Sequence, residues 1–181
     1  MQSLAERQPN AGFSIAVSRR MAAAAALLWA CGSGLAAAQT LQPQAGLTVV
    51  YGGTSTLLSP AQLLALPQHS TATATPWTDG VVRFQGPLVA DALKAAGVSL
   101  RTGMKVQATA LNGYAVDIPA QDFLRWPVLL AFSMDGKQLT RRDKGPLWIV
   151  YPRDSDKQLQ DAQYDHRWAW QLQQLRIGDA P

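Results

Sequence analysis

Cysteine is almost absent. The 181 residues hold one, Cys31, and only two histidines, His69 and His166. Cys31 falls in a segment expected to be removed, so the mature domain has no disulfide, no thiolate nucleophile and no thiolate metal ligand. Two histidines without a thiol also argue against a zinc site built from His and Cys. Charge is sparse too, at 15% charged residues and a formal net charge of +4. Three of the bases (Arg7, Arg19, Arg20) and one acid (Glu6) lie in the first 38 residues, and the remainder carries only +2. No basic stripe accompanies that small excess, so no nucleic-acid partner is expected. There is no Gly-x-Ser-x-Gly elbow, no phosphate loop and no dinucleotide fingerprint. No apolar run in the mature chain is long enough to cross a bilayer.

What is present begins with an export signal. Ser18-Arg19-Arg20 supplies a positive n-region, and Met21 to Ala30 (MAAAAALLWA) is an apolar stretch of h-region length. Cys31-Gly32-Ser33-Gly34 breaks it, and Ala36-Ala37-Ala38 offers the small residues of a cleavage site, placing the mature start near Gln39. Periplasmic localisation follows as the expectation. Leu28-Trp29-Ala30-Cys31 is a poor lipoprotein box because Trp29 is too bulky for its slot, so a lipidated Cys31 is the minor alternative. The arginine pair does not choose between the general and the twin-arginine export routes. The expected organisation is a signal peptide at 1–38, a flexible leader at 39–46 and one domain at 47–181, for which the length leaves room for a single core.

Along the domain, Leu47 to Tyr51 is β-branched and aromatic and is expected as a strand ended by Gly52-Gly53. Ser59-Pro60 opens a short helix closed by Pro67. His69 to Thr75 alternates at period two, and Val81 to Gln85 forms a further strand ended by Gly86. Pro87 begins a helix with an apolar stripe of Leu88, Val89, Ala92, Leu93 and Ala96, capped by Gly97. Met104 to Leu111 and Tyr114 to Ile118 form a hairpin around Asn112-Gly113. A short helix covers Pro119 to Arg125, and a second hairpin turns at Asp135-Gly136. Leu147 to Tyr151 is an apolar run expected as a central strand carrying Trp148, buried on both faces. Trp168 begins a last strand that continues to Ile177. The fold class is α+β, a mixed β-sheet with a few short helices.

Candidate site residues are few. His69 and His166 are expected to be ordinary strand-end and loop histidines. Asp154, Asp156, Asp161 and Asp165 mimic a calcium loop, but Leu159 fills the obligatory glycine slot, so a solvated loop is expected. Arg141, Arg142 and Lys144 form a solvated hairpin end. Trp148, Trp168 and Trp170 are expected in the core or on a sheet face. Trp77 and Trp126 each adjoin a proline in a loop, a position from which aromatics wall pockets or meet partners.

Several segments in order resemble one family. Pro76-Trp77-Thr78-Asp79-Gly80, then Phe84 to Leu93 and Ala96-Gly97, are similar to the stretch after the metal site in sulfite-oxidase-type molybdopterin-binding domains. Asn112-Gly113-Tyr114 with Asp117-Ile118-Pro119 is similar to that family's Asp-Gly-Tyr hairpin. Leu130 to Leu139, Gly145 to Pro152 and Trp168 to Ile177 resemble its later hairpin, its Gly-Pro-Leu strand and its closing strand. The resemblance runs from residue 47 to 178. It implies the family's fold and, as its cofactor, molybdopterin; nothing else in the residues calls for a cofactor.

The same resemblance implies a cysteine ligand for molybdenum before the aromatic-Gly-apolar stretch. This chain has Thr71-Ala72-Thr73-Ala74-Thr75 there. Threonine hydroxyls are protonated and hard where soft sulfur is wanted. Of the basic residues that would hold the pterin phosphate, only Arg153 and Arg167 lie in the right region. The expectation is a degenerate, non-catalytic member that binds a small ligand or a periplasmic or membrane protein partner. Its pocket would be walled by Trp77 and Tyr114, with Arg153 or Arg167 offering charge to an anion. The competing expectation is a molybdopterin-dependent oxidoreductase that holds its metal without protein sulfur, which leaves enzymatic status open.

Overall fold

The computed structural model describes residue 41 and residues 43–179. The chain divides into two units, Met1–Ala37 and Ala38–Pro181, and every described residue belongs to the second. The export segment expected at 1–38 lies outside the described residues. Of the leader at 39–46, Leu41 packs against the core and Pro43 is buried, so its described part lies on the domain rather than free of it. Among the described residues, no helix is long and apolar enough to cross a membrane.

Strand β1 (Leu47–Tyr51) forms as expected, and Gly52 and Gly53 at φ 56° and 80° make a two-residue turn into β2 (Thr54–Leu58). β2 has no counterpart among the expected strands. Only its Leu58 is buried, so it carries no alternation, and its pairing with β1 alone makes it a strand. Helix α1 (Pro60–Ala65) starts at a full capping box, the Ser59 side chain accepting from Gln62 N–H and the Gln62 side chain from Ser59 N–H.

β3 (Gln68–Ala74) pairs antiparallel with β4 (Val81–Pro87). Gly86 was expected to end β4, yet the strand runs through it. A Cβ on Gly86 would lie 2.1 Å from the Leu130 carbonyl oxygen, so glycine stands there because another backbone crosses it. Helix α2 (Val89–Ala95) accordingly begins two residues beyond the expected Pro87. It ends in a Schellman motif: Gly97, at φ 84°, donates to Lys94 O, and Val98 N–H reaches Leu93 O at 2.9 Å.

β5 (Met104–Ala110) and β6 (Ala115–Pro119) form the expected hairpin, followed by α3 (Ala120–Arg125). The next expected hairpin is interrupted at Phe132. β7 (Leu129–Ala131) pairs with β10 (Trp148–Val150), whereas β8 (Ser133–Met134) pairs with β4 and with β9 (Lys137–Gln138). The last strand, β11 (Leu172–Asp179), starts four residues after Trp168, because Gln171 at φ 53° breaks the extended backbone.

The sheets are a mixed one of five strands, β2-β1-β11-β5-β6, an antiparallel one of four, β3-β4-β8-β9, and the pair β10-β7. Within the first, β1 and β11 run parallel and the other neighbours antiparallel. This is the expected α+β class with short helices. Trp148, however, does not sit at the centre of a wide sheet. β10 is wholly buried and paired on both edges, with β7 on one and Ala169 O accepting from Ile149 N–H at 2.9 Å on the other.

The aspartate-rich segment is largely exposed, as expected, but it is not a loose loop. It winds into three 3-10 turns at Arg153–Ser155, Lys157–Gln160 and Ala162–Arg167. Asp156 accepts from Gln158 N–H at the start of one turn and Asp161 from Gln163 N–H at the next. Asp154 reaches across to accept from Ala74 N–H at 2.7 Å, fastening the turns to β3.

Candidate functional site

Trp77 sits in the turn after β3. The Thr75 hydroxyl accepts from Trp77 N–H at 3.1 Å and meets the Thr78 hydroxyl at 3.0 Å, which fixes the turn and points it back toward the core. Thr73 is buried, and its hydroxyl accepts from Asp154 N–H. Both threonines that stand where the resemblance would place a metal ligand are therefore already bonded to backbone N–H groups, Thr73 across to the 3-10 turns and Thr75 within its own turn.

The Trp77 indole is half-buried against three others. Its ring centroid lies 5.1 Å from Trp170 at an interplanar angle of 83°, 5.9 Å from Trp168, and 6.4 Å from the fully buried Trp148. These are edge-to-face and tilted contacts of the kind aromatic rings prefer. Trp168 and Trp170 come from the irregular stretch before β11, and Trp148 from β10 beneath them. Facing them is the β5–β6 hairpin. Asn112 Oδ1 accepts from Tyr114 N–H at 3.0 Å, and the exposed Tyr114 donates its hydroxyl to His166 O at 2.9 Å. Together they enclose a cleft of about 240 Å³ lined by Trp77, Trp168 and Trp170 on one side, with Asn112, Tyr114, Asp165 and His166 around the rest.

Two of the four expected site residues, Trp77 and Tyr114, are thus brought together. Arg153 and Arg167 are not in the lining. Arg153 donates to Gln160 O at 3.2 Å. The Arg167 guanidinium donates to Asp122 Oδ2 at 2.7 Å and lies 4.6 Å over the Tyr164 ring. Their charge is directed into the turns rather than into the cleft. Trp126, the other loop tryptophan, is buried at the end of α3 with its indole N–H on Asp156 at 2.8 Å. That bond, with Gln158 N–H and the nearby Arg125, holds the Asp156 carboxyl below its ordinary value. Trp168, Trp170, Asn112, Asp165 and His166 were not expected in the site. The spacing of Trp168 and Trp170 was the available signal, since residues two apart on an extended chain share a face.

Below the turns lies a buried polar group: Asp122 accepts at Oδ2 both from Arg167 and, at 2.8 Å, from the Tyr151 hydroxyl. Burial, then the Asp122 charge and its hydrogen bond, raise the Tyr151 hydroxyl well above the ordinary phenol value. A phenol raised in the folded state stabilises fully below the unfolded value, about pH 10, and that stabilisation is lost as pH rises through the folded value. Urea midpoints measured from neutral pH upward should fall above about pH 10, and Tyr151→Phe should flatten the fall. An unchanged slope in that variant would mean that other groups carry it.

Five buried side-chain atoms have no hydrogen-bond partner among the described residues: Trp148 Nε1, Trp168 Nε1, Asp165 Oδ1, Arg153 Nε and Arg167 Nε. Also among the described residues, no group of three or more His, Cys, Asp or Glu stands close enough to hold a metal ion.

The family described as oxidoreductase molybdopterin binding domain matches this chain over residues 55–155. Among solved structures, the chain is similar to the sulfane dehydrogenase SoxCD from Paracoccus pantotrophus, at 18% identity and a TM-score of 0.56. That similarity covers 76% of this chain and 39% of the SoxCD chain, and it is a likeness of fold. No curated protein sequence matches.

Proposed function

The chain belongs to the oxidoreductase molybdopterin binding domain family, and we propose that it works as an exported small-ligand-binding module of the periplasm, with the redox chemistry of the scaffold lost. A shared scaffold does not carry its chemistry with it; the site residues do. The observation that carries the reading is the donor set beside the indole cleft. Cys31 is the only cysteine of the chain, and none lies among residues 39–181.

The residues present do not fit the family's cofactor. A soft anionic ligand is wanted, and the hydroxyls of Thr73 and Thr75 are protonated and already bonded to backbone N–H groups. Arg153 and Arg167, the bases available for a phosphate, donate to Gln160 O and Asp122. The cleft of about 240 Å³ is also smaller than the roughly 300–1,000 Å³ of pockets that bury drug-sized ligands. What the cleft offers is apolar wall with a few polar groups, the usual make-up of a small-molecule site.

One preparation tests the reading. The full chain is expressed in a host competent for molybdopterin synthesis and export, recovered from the periplasm, and examined by intact mass and elemental analysis. The expected result is an N-terminus at Gln39 or a close neighbour, molybdenum far below stoichiometric, and no turnover of sulfite or sulfoxide. Stoichiometric molybdenum would instead establish the alternative, a molybdopterin-dependent oxidoreductase holding its metal without protein sulfur. An intact Met1 in the cytoplasm would remove the export half, and a lipidated Cys31 would replace it with a membrane-anchored form.

A further inference from the structure

We propose that the cleft takes a small organic cation of the alkylammonium class. The proposal rests on the ligand-binding reading above and names its ligand class.

Wall chemistry comes first. Trp77, Trp168, Trp170 and Tyr114 line one small volume. Indole faces carry negative quadrupole density, and a cation within about 6 Å of a ring centroid is attracted to it, Trp being the strongest such partner. A group of aromatic walls is the arrangement that recognises quaternary ammonium, which water solvates weakly and which cannot donate a hydrogen bond.

Charge comes second. Asp165 is the one carboxylate of the lining; its Oδ1, just beneath the cleft surface, has no hydrogen-bond partner among the described residues, so no donor offsets its charge there. No Lys or Arg lines the cleft. Besides His166 in the lining, the cations nearby are engaged elsewhere: Arg167 is held by Asp122 and lies over Tyr164, and Lys144 Nζ lies 5.6 Å over the Trp148 ring. An anion would meet an uncompensated carboxylate here, and a neutral apolar ligand would cover Asp165 without pairing its charge, which is unfavourable. A cation supplies the missing charge.

Size narrows the class. The cleft, about 240 Å³, exceeds the roughly 150 Å³ of a cavity that admits benzene, so a trimethylammonium head with a short tail fits it.

The test titrates the purified full chain with choline, tetramethylammonium and 3,3-dimethylbutanol, the last having the shape of choline without its charge. Tryptophan fluorescence and calorimetry supply the readouts. Saturable binding of choline or tetramethylammonium is expected, with the neutral isostere about tenfold weaker or worse. Trp77→Ala and Asp165→Asn should each weaken the cation by about tenfold, and Asp165→Asn should keep the parent melting temperature. Three results would overturn the proposal: no saturable binding of either cation, equal binding of the isostere, or an Asp165→Asn variant that binds as tightly as the parent. Tight binding of the isostere alone removes the cation while leaving the ligand-binding reading in place, which only the molybdenum analysis can remove.

Discussion

Asp122→Ala is expected to destabilise the domain by about 3–5 kcal/mol in urea unfolding, as when one partner of a buried ion pair is removed. Asp122 is 4% exposed, and one of its oxygens accepts from both Arg167 and Tyr151. Truncation leaves a guanidinium with little access to water and a buried phenol with no acceptor. The Arg167 side chain, 17% exposed, has some escape to solvent, which limits the loss to the stated range. A control separates the cost of a lone charge from the worth of the pair. Replacing both residues together, Asp122→Leu with Arg167→Met, removes the charges in concert and should recover most of the loss. If Asp122→Ala alone costs less than about 1 kcal/mol, the pair is acting as a surface ion pair and the turns at 153–167 are held by other bonds.

The parts of this fold legible in the sequence are those decided by neighbours along the chain. Ser59-Pro60 with Gln62 is a helix start in any context, Gly97 a helix stop, and Asn112-Gly113 a hairpin, because each solves a local backbone problem. The parts that were not legible are settled by contacts between distant segments. β2 is a strand only because β1 lies beside it. Gly86 resembles a strand terminator and is in fact a crossing point, a distinction that depends on where Leu130 lies. Phe132 divides one apolar run between two sheets, and nothing in its own neighbourhood marks the division.

The site followed the same rule. Trp77 beside Pro76 and Tyr114 beside Asn112-Gly113 could be placed because turns display their side chains in known ways. The arginines could not. Arg167 pairs with a carboxylate 45 residues away, and no spacing rule links them. Asp165 and Trp168 belong to a 3-10 turn and the stretch after it, whose winding depends on Asp156 and Asp161 acting as caps rather than as free charges.

Trp148→Ala should be the most damaging single truncation in the core, costing about 3–5 kcal/mol. The residue is fully buried, with its ring 5.2 Å from Phe84 edge-to-face and 6.2–6.5 Å from Trp77, Trp168 and Trp170. Its removal opens a cavity between β10 and the indoles above, which rest on it and cannot collapse without leaving the cleft wall. Stability and ligand binding should therefore fall together in this variant, with a large change in tryptophan emission. Trp77→Ala provides the contrast, since a half-buried loop indole has less to lose in packing and more in binding. Trp148→Phe, which keeps a ring in the space, should cost less than the alanine variant and retain part of the binding. The outcome that would undo this account is a Trp148→Ala protein with parent stability, because the indole cluster would then be a surface ornament rather than the floor on which the cleft is built.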